Sequence, residues 1–215
     1  MPKIIYSEKE YDELKRYSNV MLHSLWDIES RYRDHFLEKP KLNKDYYTYI
    51  PLGLESYTNK LKIVLSILKE RNPQEYQGNF VSDSILDEIS FLEVGCGIGI
   101  KLLIARYYFI DSFGCVTGCY KGIEIDKEST EIARTLTPFE IYNIDALKFK
   151  DYDKFNIIYY YAPICDKVKE KKLERLIEQS VKPGTIIVTA LKEDKSWEIS
   201  SKFKSHGTGV IEKIA

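Results

Sequence analysis

From about residue 91 onward, the sequence alternates short apolar runs with longer stretches whose apolar residues recur at helical spacing. The apolar runs predict five strands, at Phe91 to Val94, Lys121 to Ile125, Phe139 to Asn143, Asn156 to Tyr161 and Thr185 to Leu191. The stretches between them predict helices at Ile98 to Phe109, Lys127 to Leu136 and Val168 to Val181. Because strands that alternate with helices make right-handed crossovers, we expect an α/β fold with a doubly wound, mainly parallel sheet. Ligands bind such sheets beyond the carboxyl ends of the strands.

Composition and charge narrow the class of protein. The 215 residues include 32 Lys and Arg against 33 Asp and Glu, for a formal net charge of −1, and 44% of them are hydrophobic. Balanced charge gives no indication of nucleic acid binding, and no apolar run reaches the roughly 18 residues that a membrane span takes. The first residues lack the apolar core of a signal peptide, and the four cysteines have no familiar zinc spacing. We therefore expect a cytoplasmic protein with no membrane association and no metal.

The first 88 residues carry helical patterns instead of strands. Ser7 and Glu10 have the spacing of a capping box, which predicts the start of a helix that runs to Pro40. Its apolar face is predicted to comprise Tyr11, Leu14, Met21, Leu25, Ile28, Tyr32 and Phe36. A second helix follows Pro51 and ends before Asn72, with the apolar series Leu54, Tyr57, Leu61, Val64, Leu65 and Leu68. The residues between the two helices, 41–53, predict a loop.

Two domains are expected from this division of the chain. Residues 1–88 would form an N-terminal helical cap over the mouth of the ligand site, and residues 89–215 would hold the sheet. Only about 24 residues follow the fifth strand, so the C-terminal end of the sheet should be abbreviated. We expect its last elements near Ser196 to Phe203 and Gly209 to Ile214.

A glycine-rich turn follows the first predicted strand and is the first candidate for chemistry. Gly95, Gly97 and Gly99 allow the backbone to turn sharply into a helix, whose unpaired N–H groups then face a ligand. A dinucleotide-binding fingerprint needs a glycine or alanine where this chain has Ile100, which weakens an NAD interpretation. The actual spacing is G-x-G-x-G, with the acid Glu93 two residues before it.

An apolar strand, an acid and then G-x-G-x-G resembles the first motif of class I S-adenosylmethionine-dependent methyltransferases. The resemblance covers roughly residues 90 to 191 and implies a Rossmann-like domain that binds S-adenosylmethionine. In that family the glycine turn borders the methionine portion and ribose of the cofactor, and the acid contacts its amino group directly or through water. The residues that this motif implies at the cofactor are Glu93, Gly95, Cys96, Gly97 and Gly99.

Later strands carry further motifs in the same order. Glu124 ends the second strand at the family's ribose position, with Ile125 beside it, and Asp145 with Ala146 matches the adenine position. A carboxylate at a strand end can accept two hydrogen bonds from ribose hydroxyls, although an NAD enzyme uses an acid in the same way. Glu124 and Asp145 are also plausible as helix caps. The Lys-Pro-Gly turn at 182–184 resembles the one that introduces the family's fifth strand.

The segment after the fourth strand is predicted to border the methyl acceptor. Tyr159 and Tyr161 should share one face of the strand and Tyr160 the other, with Tyr160 assigned to the cofactor. Amino methyltransferases carry Asn-Pro-Pro-Tyr or Asp-Pro-Pro-Tyr here, whereas this chain has Tyr-Ala-Pro-Ile, so the substrate class is left open. Candidate acceptor contacts are Tyr161, Pro163, Tyr57 and Tyr49. No residue is nominated as general base.

The leading hypothesis is a methyltransferase that transfers the methyl group of S-adenosylmethionine by in-line displacement and releases S-adenosylhomocysteine. Near-neutral charge favours a small molecule or a protein over RNA as the unidentified acceptor. Two alternatives stay open: a catalytically silent subunit that binds the cofactor, and an NAD(P)-dependent oxidoreductase. Cys96 is interpreted as a small filler in the turn rather than a nucleophile, since this chemistry needs no thiol.

Overall fold

Seven strands form one sheet in the computed structural model, which describes residues 20–32, 53–71, 89–113, 118–161, 163–189 and 201–215. The strands are β1 (Ser90–Val94), β2 (Cys119–Glu124), β3 (Glu140–Asn143), β4 (Ile157–Tyr160), β5 (Ile186–Thr189), β6 (Phe203–Ser205) and β7 (Val210–Lys213). Their order across the sheet is β3-β2-β1-β4-β5-β7-β6. The first five pair in parallel, while β7 is antiparallel to both β5 and β6. The predicted doubly wound, mainly parallel α/β sheet of Rossmann-like type is confirmed.

In the described residues two helices precede the first strand, and three connect parallel strands, as the alternating pattern predicts. They are α1 (residues 20–32), α2 (Leu54–Arg71), α3 (Ile100–Phe113), α4 (Lys127–Leu136) and α5 (Lys167–Ser180). The start of α3 is two residues later than predicted, because the glycine turn occupies residues 95–99 in a non-helical conformation. Within the described residues, no helix combines the length and the apolar character that crossing a membrane requires.

Successive strand residues point to opposite faces of the sheet, and their side chains pack into two separate hydrophobic cores, one on each face. Phe91, Tyr159 and Val188 are buried on one face against α2 and α3, and the side chains of α1 pack there too. Leu92 and Tyr160 are buried on the other face with the apolar side of α5. The prediction that Tyr159 and Tyr161 share a face opposite Tyr160 is therefore confirmed, since Tyr161 packs against the first core.

The predicted apolar face of the first helix is partly wrong. Leu25 and Tyr32 do pack on the core, but Met21 and Ile28 are 40% and 38% exposed. The inward positions are instead 22, 25, 26, 29 and 32, which are spaced three or four apart as a helix face requires. Glu29 occupies one of these inward positions. A prediction that counts only apolar residues therefore selects Ile28 in its place and misplaces the inward face of the helix by one residue. The predicted start at Ser7, the apolar residues Tyr11, Leu14 and Phe36, and the loop at 41–53 up to residue 52 lie outside the described residues.

The second helix has the bounds that its pattern predicts, and its apolar series packs into the core that β1 and β4 share. At the C-terminal end, β7 agrees with the element expected near Gly209 to Ile214. The other expected element is displaced, because β6 begins at Phe203 instead of ending there. Residues 190–200, which include the rest of that expected element and the predicted end of the fifth strand at Leu191, lie outside the described residues.

Candidate functional site

The turn after β1 is fastened to the end of β2 by backbone hydrogen bonds. The N–H groups of Gly95 and Cys96 both donate to Ile123 O, at 2.8 and 3.0 Å. The next N–H, that of Gly97, donates to Glu124 Oε2 at 2.8 Å. Because these bonds join the carboxyl ends of neighbouring parallel strands, the turn and Glu124 form one rigid edge where such sheets bind ligands.

Each glycine of the turn meets a different environment, although all three have positive φ. A Cβ atom at Gly95 would lie 2.7 Å from Pro163 Cβ, and one at Gly99 would lie 3.0 Å from Thr137 Cγ2. At Gly97, where φ is +54°, an added Cβ would meet nothing within 4 Å. Gly95 and Gly99 therefore allow close packing inside the protein, whereas Gly97 borders open space in which a ligand can approach the backbone.

Cys96 points into the protein rather than toward that open space. Its Sγ atom would lie 2.6 Å from a Cβ at Gly122, so the thiol fills the gap that the glycine leaves in β2. Burial, together with the nearby carboxylates of Glu124 and Glu93, raises the pKa of the Cys96 thiol well above its ordinary value. A thiol held protonated is a poor nucleophile, which agrees with the interpretation of Cys96 as a filler.

Glu124 uses both carboxylate oxygens to fix the loops around it. While Oε2 accepts from Gly97, Oε1 accepts from the N–H of Asp126 at 2.8 Å. Burial raises the pKa of Glu124, and these two N–H groups oppose the rise by favouring the ionised form. The backbone N–H of Ile125 also favours the ionised form. An ionised carboxylate has about four lone-pair positions, so Glu124 can still accept from a hydroxyl donor of a ligand.

A neighbouring amide completes the edge of the sheet. The side chain of Asn143, at the end of β3, donates from Nδ2 to the carbonyls of Glu124 and Ile125, both at 3.1 Å. It also reaches Thr130 Oγ1 at 3.1 Å, which ties the first turn of α4 to the same point. Asn143 was not predicted as a site residue, and its position at the end of a strand is the signal that would have found it. The apolar side chain of Ile125 stays 40% exposed beside this network.

Asp145 lies directly after β3 and acts as a cap. Its Oδ1 accepts from Leu147 N at 2.9 Å, at the start of the short 3₁₀ turn Ala146–Lys148. The N–H of Ile144 bonds to Glu124 O at 3.1 Å, which holds the Asp145 loop next to the end of β2. Among the described residues only one of its oxygens has a hydrogen-bond donor, so the other can accept from a ligand.

The tyrosines predicted near the acceptor divide into buried and accessible ones. Tyr57 and Tyr160 are fully buried, and their hydroxyls donate to Lys101 O at 3.0 Å and to Glu170 Oε1 at 3.1 Å. Neither side chain presents surface to a ligand, which argues against the ligand contacts predicted for them. Tyr161 is partly exposed and stacks parallel to Tyr159, with ring centroids 6.1 Å apart.

Pro163 contacts the turn at Gly95, so it and the partly exposed Tyr161 lie at the edge where the sheet binds ligands. Tyr49 lies outside the described residues.

Glu93 is the most buried acid of the site, at 1% exposure. Its Oε2 has no hydrogen-bond partner among the described residues, and burial raises its pKa well above the ordinary range. Lys101, in the first turn of α3, opposes that rise, but its Nζ is 2.5 Å from Glu29 Oε1 on α1. Sequence reasoning missed Lys101 and Glu29, because neither belongs to a motif and only the structure shows that Glu29 faces inward.

No group of three or more histidine, cysteine or acidic side chains is arranged to hold a metal in the part of the chain that the structure describes. The site is therefore described by its carboxylates, its glycine turn and its aromatic side chains.

Comparison with known proteins gives matches in structure only. No protein-family model matches the chain, and no curated protein matches its sequence. Among solved structures, DesVI of Streptomyces venezuelae is 18% identical with a TM-score of 0.43, covering 64% of this chain and 51% of that one. The putative methylase HI0767 of Haemophilus influenzae is 13% identical with a TM-score of 0.49, covering 74% of this chain and 99% of that one. The amino pentose methyltransferase CalS10 of Micromonospora echinaspora, solved with S-adenosylmethionine bound, is 14% identical with a TM-score of 0.44, covering 68% and 59%.

The chain thus spans about half the length of DesVI and nearly all of the Haemophilus methylase. Several of the matching structures are methyltransferases. Likeness at this level of identity and TM-score carries no conclusion about activity or acceptor. The function has to be argued from the site itself.

Proposed function

We propose that this chain binds S-adenosylmethionine and transfers its methyl group to an acceptor. The observation that carries the proposal is the edge formed by Gly97 and Glu124. There the Glu124 carboxylate accepts from the N–H of a glycine that has positive φ and borders open space. A ribose with two adjacent hydroxyls is suited to such a carboxylate, because both hydroxyls can donate to it at once.

The neighbouring residues suit the adenine of the same ligand. Ile125 offers an exposed apolar side chain next to Glu124, on which a flat base can lie. Asp145 keeps one carboxylate oxygen for an exocyclic amino group, and its loop is bonded to the end of β2. An apolar platform between two acids therefore favours a nucleoside over a plain apolar ligand or a simple anion.

When bound, S-adenosylmethionine would supply an electrophilic methyl group: the lone pair of the acceptor would form a bond to the methyl carbon as the carbon–sulfur bond breaks in line with it, and the sulfur would leave as the thioether of S-adenosylhomocysteine. The contribution of this chain would be alignment: Gly95, Gly97 and Glu124 seat one side, and Tyr161 with Pro163 borders the acceptor. No covalent intermediate with the protein is needed, which is consistent with the buried, protonated thiol of Cys96. We propose a small molecule or a protein as acceptor, since the balanced charge of the chain gives no basis for RNA.

Calorimetric titration tests the cofactor assignment. The wild type should bind S-adenosylmethionine and S-adenosylhomocysteine but not NAD. Glu124→Gln should weaken binding of both by about ten- to a hundredfold, or about 1.5–3 kcal/mol, because it removes a charge-assisted hydrogen-bond partner. Glu131→Gln, an exposed acid on α4 that pairs with Lys127, is the matched control and should leave binding unchanged.

Three results would change the assignment. Binding of NAD instead of the adenosyl ligands would favour an oxidoreductase. Failure of the folded wild type to bind any of them would remove the proposed function. Tight binding of S-adenosylmethionine without transfer to any acceptor would fit a catalytically silent subunit.

A further inference from the structure

Three charged side chains from three different elements meet beneath the glycine turn. Glu93 on β1, Lys101 on α3 and Glu29 on α1 are 1%, 9% and 3% exposed. Lys101 Nζ and Glu29 Oε1 are 2.5 Å apart, and both carboxylates lie close enough to Lys101 or to each other to affect the pKa of Glu93. With both acids ionised, this cluster carries one uncompensated negative charge.

Within the described residues, one carboxylate oxygen of this cluster has no hydrogen-bond donor. Burying a carboxylate oxygen without a hydrogen bond costs free energy, because the oxygen loses its water and gains nothing in return. Glu93 Oε2 is in that condition among the described residues. Lys101 is the cation whose charge opposes the rise in the pKa of Glu93, and its ammonium donates to Glu29 Oε1.

Position in the chain places these groups at the proposed cofactor edge. Glu93 precedes Gly95 by two residues, and Lys101 follows Gly99 by two, so an acid and a base flank the same glycine turn. The hydroxyl of Tyr57 donates to Lys101 O at 3.0 Å and holds the backbone at this point.

We propose that Lys101 binds the carboxylate of an α-amino acid group on the ligand, and that the Glu29 carboxylate occupies this position in the ligand-free chain. The proposal rests on the proposed function, because S-adenosylmethionine ends in such a group. On binding, the ligand ammonium would donate to Glu93 Oε2, and the ligand carboxylate would replace Glu29 on Lys101. The exchange leaves each buried charge with an opposite partner, and it releases Glu29 on α1.

Glu29 then competes with the ligand carboxylate for Lys101. Loss of the two charges should therefore change ligand affinity in opposite directions, which is not expected of an ion pair that only stabilises the fold. Removing the charge of Glu29 should tighten binding of a ligand that carries the amino acid group. Removing the charge of Lys101 should weaken it. Neither change should affect a ligand that has the adenosine part alone.

Two probes separate these effects: S-adenosylhomocysteine, which has the amino acid group, and 5′-methylthioadenosine, which lacks it. Titration of Glu29→Gln should show about tenfold tighter binding of S-adenosylhomocysteine, and Lys101→Met about tenfold weaker binding, with 5′-methylthioadenosine unchanged in both. Equal shifts for the two probes, or no shift for S-adenosylhomocysteine, would overturn the inference. If the wild type binds neither probe, the proposed function has failed instead.

Breaking a buried ion pair can unfold a protein, since it leaves one charge without a partner. A double variant, Glu29→Leu with Lys101→Met, removes both charges and keeps apolar volume, so it is expected to fold. It should retain binding of 5′-methylthioadenosine and lose about tenfold in affinity for S-adenosylhomocysteine. Undiminished binding of S-adenosylhomocysteine by the folded double variant would also contradict the role of Lys101.

Discussion

At the scale of single residues, the backbone conformation of Gly97 is what allows a ligand to approach the proposed site. Its φ of +54° is in the left-handed region, and a side chain there would project into the open space beside Glu124. Gly184 in the turn before β5 also has positive φ, +88°, and an added Cβ there would likewise meet nothing within 4 Å. The two glycines thus share a conformational requirement but differ in location.

Alanine variants of these two glycines can distinguish the effect of backbone strain on stability from the effect of a side chain on ligand binding. Gly97→Ala and Gly184→Ala should each lower the free energy of unfolding by about 1–2 kcal/mol, because alanine is disfavoured at positive φ. Only Gly97→Ala should also weaken binding of S-adenosylhomocysteine, since its methyl group enters the ligand space. Urea denaturation and calorimetric titration of both variants measure the two effects. Equal affinity of the two variants would show that Gly97 does not border the ligand.

The residues of the glycine turn could be predicted because the motif is local. Glu93 and the three glycines are recognised from spacings of a few residues, and Glu124 from its position at the end of the next strand. The structure joins the turn to Glu124 by hydrogen bonds. Glu29 and Lys101 could not be found in this way, because 72 residues separate them and neither belongs to a motif. Tyr57 and Tyr160 were assigned to ligands on residue type, but aromatic side chains of this size also fill cores, and these two do.

At the scale of elements, α5 shows how local chemistry sets a helix boundary. Asp166 precedes the helix, and its Oδ1 accepts from the N–H groups of Val168 and Lys169, both at 2.9 Å. These are two of the donors that the first turn of a helix leaves without partners. On the inner side, Leu173 and Ile177 pack below β4 and β5, so the cap and the apolar face together position the helix.

Removal of the Asp166 cap should lower the free energy of unfolding by a small but measurable amount. Asp166→Ala is expected to lower the free energy of unfolding by about 1 kcal/mol, because two backbone donors lose their acceptor. Asp166→Asn keeps a side-chain oxygen and should lose less than half of that. Chemical denaturation of the two variants beside the wild type gives the comparison. A loss in Asp166→Asn as large as in Asp166→Ala would assign the effect to charge rather than to capping.

Element types follow from the sequence more reliably than the orientation of a helix. The five parallel strands and their helices each have a self-contained periodicity, which is why their positions were predicted within a few residues. The face of α1 was not, since a charged residue occupies an inward position and is stabilised there by a partner from another helix. The helical periodicity used for the prediction counts apolar residues only. It therefore cannot identify an inward position that is occupied by a charged residue with a buried partner.

At the scale of the whole molecule, Lys60 connects distant parts of the chain. This residue of α2 is 3% exposed, and its Nζ donates to Thr189 O, at the end of β5, at 2.9 Å and to Thr208 O in the turn between β6 and β7. Among the described residues, no carboxylate forms an ion pair with Lys60. A buried ammonium held by two carbonyls therefore joins α2 to the end of β5 and to the turn of the C-terminal hairpin.

Burial lowers the pKa of Lys60 to about 8, against about 10.4 in an unfolded chain. Below pH 8 the lysine is charged in both states, so the cost of burying the charge is fully present. As pH rises from about 8 to about 10.4, the unfolded chain binds more protons than the folded one, and stability increases. The sign is thus opposite to that of a lysine stabilised by an ion pair.

Relative to Lys60→Met, the wild type should gain about 1–2 kcal/mol in free energy of unfolding between about pH 7.5 and 9.5. Lys62→Met, at an exposed position of the same helix, is the control and should retain the pH dependence of the wild type. Urea denaturation at the two pH values provides the measurement. Parallel pH profiles for wild type and Lys60→Met would show that Lys60 does not titrate in this range.

The order of the strands could be predicted only in part. Alternation of strands and helices indicates a parallel, doubly wound sheet, but nothing in the sequence shows that β7 inserts between β5 and β6. The division into a cap of residues 1–88 and a domain of residues 89–215 stays a prediction. What the structure adds is that α2 contributes Tyr57, Leu61 and Val64 to the core of the sheet, so this helix belongs to the folded unit on which the site depends.

The contact between Cys96 and Gly122 has a consequence for how this protein can change over evolutionary time. The thiol fills the space that a side chain at position 122 would occupy, with only 2.6 Å available to a new Cβ. A Cβ at position 122 would also lie 3.0 Å from Ile141 Cδ1, so a larger residue in β2 is tolerated only when both Cys96 and Ile141 give way. The three positions, one in the glycine turn and two inside the sheet, are therefore constrained to change together.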